Sequence, residues 1–575
     1  MSRSKLLVVL LIVLVWIPSF LYTVHFIGKQ WEYANTTSAG RFAGVSLRSA
    51  SDMAKTAGTL ATAALAATVS GGLLFLLLKK NRTTGQHTLL KVDAGLFIVL
   101  ALAYGTNQYL LYKASRPVYY RDYDSTGRLH NPEKFLGQLK ARKVILISID
   151  TLAPKHLHCY GNTHETSPNI DRLKTEGVFF TSCFSQSPKT SPAHMTMFTS
   201  LYPSVHKIRN WNTNKGGYAL DHTVITLPEI MQHAGYATAA FTGGGNVDGS
   251  IGFSSGFDLY ENNDQLWEKA SQWLELNSDK QFFMFLHTFK VHSPYLPPPP
   301  YNTLFDSTYQ GAIVDSKAGL DEQFQKTGNG GAFPGYHELF WANVNKADPR
   351  DVQHLVALYD GGIRFMDEEI FGKLVATLKA LNLYDEVLLV FTADHGEEFG
   401  EHGDFLHKEL YDEHLHVPLI IKFPHGERQG LAVTQQVRII DLLPTLLTYL
   451  GLPVPENAQG TSLLPALDNE QMELNVYAER TETFDVPDKK KAIRTPQWKF
   501  ILWPTLGTHE LYNLASDPGE HQNLLERSPE IRDELQGEIE HWMRVNDDKG
   551  RAIRERQNDL DPQTIAKLRS LGYVK

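Results

Sequence analysis

The residues with the most chemistry in them fall in one short stretch, TADHGEEFGEHG, at positions 392–403. Asp394 and His395 stand side by side there, followed by Glu397, Glu398, Glu401 and His402 on a turn bracketed by Gly396 and Gly403. A hard carboxylate oxygen beside an imidazole suits zinc or manganese, whereas an all-oxygen set would favour magnesium or calcium. A second carboxylate, Asp150, closes the run KVILISID at 143–150, and Thr190 opens the segment TSPAHMTMFTSLY at 190–202. Taken alone, Asp150 reads as a helix cap and Thr190 as an N-cap. With Pro192 starting a helix, Thr190 stands just before its N-terminus, where free N–H groups and the positive dipole end favour an oxyanion or phosphate. A divalent cation lowers the pKa of an oxygen it contacts, which would turn a poor nucleophile such as threonine into a usable one.

These side chains need strands to carry them. Residues 387–391 form a continuous, partly β-branched apolar run, the pattern of a central strand covered on both faces. Residues 143–150 repeat that pattern, so two strands each end in an aspartate. Parallel strands of one open sheet bring such residues together at their carboxyl ends. Further strands are predicted at 178–184, 237–244, 281–289 and 416–423. Between them, 167–178 reads as a helix that starts at Ser167 and Pro168 and stops at Gly177. The strand at 281–289 runs through His287 into Lys290, His292 and the rigid prolines 297–300. Residues 303–349 are Gly-rich and weakly patterned, which predicts an insertion or mobile loop over the site. Residues 351–381 read as helix with an irregularity at Gly361 and Gly362. Beyond 452 the pattern changes to short antiparallel strands at 475–479, 492–503 and 510–514, with a closing helix at 529–545.

At 575 residues the chain exceeds one ordinary domain, and 42% hydrophobic with 21% charged residues is a globular composition. A net charge of −9 argues against nucleic acid as a partner. The two cysteines, Cys159 and Cys183, either form one disulfide or stay as thiols, and they build no zinc site. Residues 6–27 and 57–78 have the apolar length of membrane spans, and 94–111 is a third run interrupted by Asn107 and Gln108. The basic start and the four Lys/Arg of the 79–91 loop place both on the cytoplasmic side. Three spans then put everything after about Tyr112 outside, as a multi-pass inner-membrane protein with a periplasmic or extracellular catalytic domain. The expected organisation is a membrane segment at 1–115, a linker at 116–142, a catalytic domain at 143–452 and a C-terminal subdomain at 453–575.

In series, ISIDT, SPNIDRL, TSPAHMTMFTSLYPSVH, FLHTFKVHSPYLPP, LYDGGIRFMDEEI, TADHGEEFGEHG, LYDEHLHVPLI, ELYNLASDPGEHQNL and LRSLGYV resemble the sulfatase family of the alkaline-phosphatase superfamily. The resemblance implies an α/β fold: a mixed sheet flanked by helices, with a small C-terminal antiparallel subdomain. It implies Asp150, Asp394 and His395 as ligands of a divalent metal, with Thr190 in the nucleophile position against that metal. His292 matches the histidine of the family's HxPY segment, and His407 or Lys408 falls near its basic residue ahead of the Tyr-Glu pair. The chain departs from the family where sulfatases of the best-known type carry Cys or Ser in C/S-x-P-x-R, oxidised to formylglycine. Here the pattern is Thr190-Ser-Pro-Ala-His194, and threonine cannot give formylglycine. Thr190 with Asp394-His395 looks like the phosphoryl-transfer branch, so the expected substrate is a phosphodiester or phospho-headgroup, lipid-linked or on an envelope glycan. Sulfate-ester hydrolysis is the alternative, and a non-catalytic envelope sensor or binding protein the second. The oligomeric state is not legible.

Overall fold

The computed structural model describes residues 122–558, apart from 125–127, 132, 210–216, 263–265, 328–334, 481–489 and 505, together with Ile565 and Leu568. The three apolar runs expected to span a membrane lie outside the described residues. Among the described residues no helix is long and apolar enough to cross a bilayer.

A nine-stranded sheet organises the chain. Its strands are β1 (Lys143–Ile149), β2 (Val178–Phe184), β3 (Ala237–Thr242), β4 (Leu259–Asn262), β5 (Phe282–Thr288), β6 (Val387–Ala393), β7 (His416–Lys422), β8 (Ala432–Val433) and β9 (Val437–Arg438). The order is β8-β2-β7-β6-β1-β5-β3-β4, with β9 also paired to β2. Every residue of β5 and β6 is buried, so helices and loops cover both faces, which is why these strands read as unbroken apolar runs. β7 runs antiparallel to both β2 and β6, so the sheet is mixed.

The register places the chemistry. β1 pairs in parallel with β5 on one side and β6 on the other, and Ile149 lies level with Thr288 and Ala393. All three strands therefore stop at one height, and the next residues, Asp150 and Asp394, leave the sheet side by side. Asp150 stays in line by donating its N–H to the Thr288 carbonyl at 3.1 Å.

Two local expectations are corrected. The 303–349 stretch contains helices at Lys317–Thr327 and Tyr336–Ala342, with Phe340 fully buried. Its few large side chains anchor it where a weak pattern suggested a loose insertion. In the long helix Pro349–Met366, Gly361 and Gly362 are regular, and the irregularity is a π-helical turn at Asp367–Gly372 before Lys373–Ala380. The glycines serve close packing instead: a Cβ on Gly361 would lie 2.3 Å from the Tyr301 carbonyl oxygen.

The π turn carries Asp367, which accepts from the backbone N–H groups of Asn169 (3.0 Å) and Ile170 (2.9 Å) at the start of helix Pro168–Glu176. Burial raises its carboxyl from 3.8 to about 6. A raised folded-state pKa means that the stabilisation is complete below pH 3.8 and is lost as pH rises through about 6. Asp367→Asn keeps one of the two accepting oxygens and removes the titration. Relative to wild type its stability should rise by about 2 kcal/mol between pH 4 and 7. Melting curves that shift in parallel at both pH values would refute this.

The C-terminal part forms a separate antiparallel sheet of Val476–Glu479, Lys491–Arg494, Trp498–Trp503 and Thr508–Asn513, closed by helix Pro529–Gly550. Trp542 of that helix stacks on Tyr477 at 4.8 Å and meets Tyr202 of the catalytic part edge-on at 5.0 Å. Cys159 and Cys183 are free thiols.

Candidate active site

Thr190 is the first residue of the fully buried helix Thr190–Thr199, whose extended N-cap is Lys189. The helix thus begins two residues earlier than Pro192 suggested. The Thr190 hydroxyl lies 3.5 Å from His395 Nε2. His395 Nδ1 donates to the Gly396 carbonyl at 3.0 Å, which fixes the tautomer and leaves Nε2 as a lone-pair donor. That nitrogen is 3.4 Å from Asp394 Oδ2 and 4.0 Å from Asp150 Oδ1. Asp394 Oδ1 is held by the backbone N–H groups of Thr151 (3.2 Å) and His395 (2.9 Å), which turns Oδ2 toward the centre.

The donor set tests whether a cation belongs here. One ligand atom each from Asp150, Asp394 and His395 lie within 4.8 Å of one another, and all three residues are fully buried. Neither oxygen of Asp150, nor Oδ2 of Asp394, makes a well-formed hydrogen bond. Burial drives both carboxyls well above their usual range, and the Asp150 charge raises Asp394 further. Two buried carboxylates with oxygens turned toward each other are costly unless a cation neutralises them. The residues present fit a divalent metal.

Around this centre burial keeps the imidazoles neutral. It lowers His287 and His292 to about 3 and holds His194, His395 and His407 well below the usual histidine value. His395, His407 and His292 form a row, with ring centroids 4.4 and 5.3 Å apart. His407 Nδ1 is hydrogen-bonded to the buried Glu397 Oε1 at 3.0 Å. His194, where the family carries Arg, donates through Nδ1 to the Thr190 carbonyl (2.9 Å) and accepts at Nε2 from Ser148 (2.8 Å), so it braces Thr190 without supplying charge.

The structure separates His407 from Lys408. Lys408 is bound to Asp404 at 2.9 Å, partly exposed, while His407 faces His395 and His292. The rest of the acidic stretch builds the loop. Glu398 accepts from the His402 and Asp404 N–H groups and pairs with His414, Glu401 pairs with Lys155, and His402 stacks on Tyr411. Lys189 escaped the sequence reading, and Glu397 and His287 were named there without a role at this centre. The Lys189 charge acts on His292, His395, His407 and Glu397, and His287 Nε2 sits 3.3 Å from Asp150 Oδ2. Only the level of Ser148 and His287 in adjacent strands marks His287, and that requires the sheet order. His407→Ala should lower kcat by about 10²–10³-fold, the scale of a lost general acid or base. Lys408→Ala should stay within about twofold, as exposed ion pairs are weak. Equal losses in the two variants would contradict this geometry.

The family profile for sulfatases matches residues 142–452, more than half of the 575-residue chain. The chain belongs to the sulfatase family. A second profile, the C-terminal region of N-sulphoglucosamine sulphohydrolase, matches 400–545. Similar proteins include arylsulfatase K of Rattus norvegicus, 24% identical over 69% of this chain and 77% of that protein. Another is N-acetylglucosamine-6-O-sulfatase of Bacteroides thetaiotaomicron, 24% identical over 68% of this chain and 84% of the relative. The phosphonate monoester hydrolase of Agrobacterium radiobacter shares the fold, with a TM-score of 0.56 and 22% identity over 70% of this chain and 96% of that one. This sulfatase-family chain is thus a hydrolase of a metal-dependent family, which sets the non-catalytic sensor aside.

Proposed function

We propose that this sulfatase-family hydrolase cleaves sulfate esters, with Thr190 as the attacking group. The observation that carries the reading is Thr190, at a helix N-terminus, facing the buried Asp150–Asp394–His395 cluster. The curated relatives, arylsulfatases and a glucosamine sulfatase, support the sulfate-ester alternative better than the phosphodiester reading drawn from Thr190. Asp150, Asp394 and His395 would hold a divalent metal, whose positive charge would ease deprotonation of the Thr190 hydroxyl and offset the charge of the ester. The mixed donor set favours zinc or manganese. The Thr190 oxygen attacks sulfur, the bond to the leaving oxygen breaks, and a sulfate ester of Thr190 forms. An anionic ester between His292 and His407 raises their proton affinity, so one of these neutral imidazoles takes up the proton that Thr190 releases and passes it to the leaving alcohol. Water then attacks the same sulfur, releasing sulfate and restoring the threonine hydroxyl.

A second reading keeps the same steps at phosphorus. Its support is Thr190 itself, which cannot become formylglycine, together with His395 where many sulfatases carry Asn. The deciding assay gives the full chain 4-nitrophenyl sulfate, bis(4-nitrophenyl) phosphate and 4-nitrophenyl phenylphosphonate, with and without zinc or manganese. The highest kcat/KM should fall on the sulfate; a preference above about tenfold for a phosphorus ester would displace the first reading. The apolar runs before residue 115 and the basic 79–91 loop support a catalytic domain held at the outer face of a cell membrane. That location suits substrates on lipids or envelope glycans. A reporter fused after Arg121 and active only in the cytoplasm would overturn the orientation.

A further inference from the structure

His292 and His407 ride on separate segments, one leaving β5 and the other in the loop that follows β6. Their ring centroids nevertheless lie 5.3 Å apart. Helix Tyr336–Ala342, from the 303–349 stretch, reaches both segments through one side chain.

Trp341 of that helix donates its Nε1–H to the Ser293 hydroxyl at 2.9 Å. Ser293 is fully buried, and its carbonyl accepts from His292 Nδ1 at 2.5 Å. The residue that holds the His292 ring is thus itself held by Trp341. The Trp341 ring also meets Phe405, two positions before His407, with centroids 5.9 Å apart and planes at 65°. Such edge-on pairs attract at this range. Phe405 is buried, and the Lys346 ammonium lies over both rings, 5.1 Å from Trp341 and 5.2 Å from Phe405. Phe340, next to Trp341, fixes the helix in place: it is fully buried and packs edge-on against Tyr295 at 6.0 Å. The cleavage steps above leave Trp341 unused.

Resting on the ester-hydrolase reading, we infer that Trp341 is a positioning residue that ties the segment bearing His292 to the loop bearing His407. It acts through Ser293 on the one and through Phe405 on the other, and so sets the two imidazoles for proton transfer to the leaving alcohol. A misplacement of about 1 Å in such a group can cost about 10²-fold. The cost falls on esters whose leaving oxygen needs a proton. Phenolate, with a pKa of about 10, needs one far more than the weakly basic 4-nitrophenolate.

The full chain is compared with Trp341→Phe, which keeps a ring and drops the N–H, with Ser293→Ala, which drops the acceptor, and with the double variant. The substrates are the phenyl and 4-nitrophenyl esters of whichever acid, sulfuric or phosphoric, the chain prefers. Each single change should lower kcat/KM by about tenfold or more for the phenyl ester and by less than about threefold for the 4-nitrophenyl ester. The double variant should be no slower than the slower single one, because both changes cut the same link. Equal losses on the two esters, or losses that multiply in the double variant, overturn the inference. Nitrogen NMR of isotope-labelled histidine supplies a readout without turnover. The His292 ring signals, assigned by their disappearance in His292→Gln, should shift in Trp341→Phe and in Ser293→Ala while the melting curves stay close to wild type. Signals that do not move overturn the inference, whichever ester is cleaved. Shifted signals in a protein that cleaves no ester uphold the tie between Trp341 and His292 and refute the hydrolase reading instead.

Discussion

Thr190→Ala is expected to lower kcat by at least about 10⁴-fold, the scale seen when a covalent nucleophile is removed. Thr190→Ser, which keeps the hydroxyl, should retain activity within about tenfold. The alanine variant should fold. Thr190 is the first helical residue and not the N-cap, so its loss deletes no cap, and helix Thr190–Thr199 remains packed on all its residues. The substitution removes a buried hydroxyl and methyl, a loss on the order of 1–2 kcal/mol. Steady-state kinetics with the best ester, alongside a melting curve, check both halves. Alanine activity above about one hundredth of wild type would remove Thr190 from the nucleophile role and leave His292 and His407 serving some other attack.

Asp394→Asn should lose the metal and the activity together, yet make the metal-stripped protein more stable. Asparagine can still accept at Oδ1 from the Thr151 and His395 N–H groups, so the loop stays in place. In place of Oδ2 it puts an N–H₂ group, which repels a cation. Metal content measured after dialysis should fall from stoichiometric to near zero, and kcat/KM by at least about 10³-fold. Stability should move the other way once metal is removed from both proteins. The Asp394 carboxyl is raised by burial and by the Asp150 charge, so what it contributes is present in acid and lost as pH rises. The stripped variant should therefore melt higher than stripped wild type at pH 7, with the gap closing toward pH 4. A variant that keeps its metal, or equal melting at pH 7, would show that Asp150 and Asp394 do not share a cation.

Several elements were legible in the chain because the physics behind them is local. Residues 143–149 and 387–393 could be recognised as buried strands since nothing polar interrupts them, and both end in aspartate for the eye to find. The interruption in the long helix was misplaced. Glycine is a conformational signal in a sequence, but Gly361 is there for the Tyr301 carbonyl that packs on it, a contact 60 positions away in the chain. His407 and Lys408 could not be ranked from spacing, because adjacent residues differ in what faces them. The choice is made by the loop's anchors: Glu409 held by Arg480 and Lys490, and Asp412 held by Arg494 and Lys499 of the C-terminal sheet. That sheet therefore reaches the centre through the loop it fastens.

What the sequence determined by itself was the kind of chemistry: carboxylates, imidazoles and one hydroxyl in an order that matches a metal-using hydrolase family, with strands able to carry them. Residue type and local pattern suffice for that. The tertiary structure decided which of those groups meet. Asp150 and Asp394 are 244 positions apart in sequence and adjacent only because β1 and β6 pair in parallel at one register. The same packing brings three neutral imidazoles into a row and turns Lys408 outward. Proximity between distant groups depends on how elements pack, and burial, which sets their charge, follows from that packing alone.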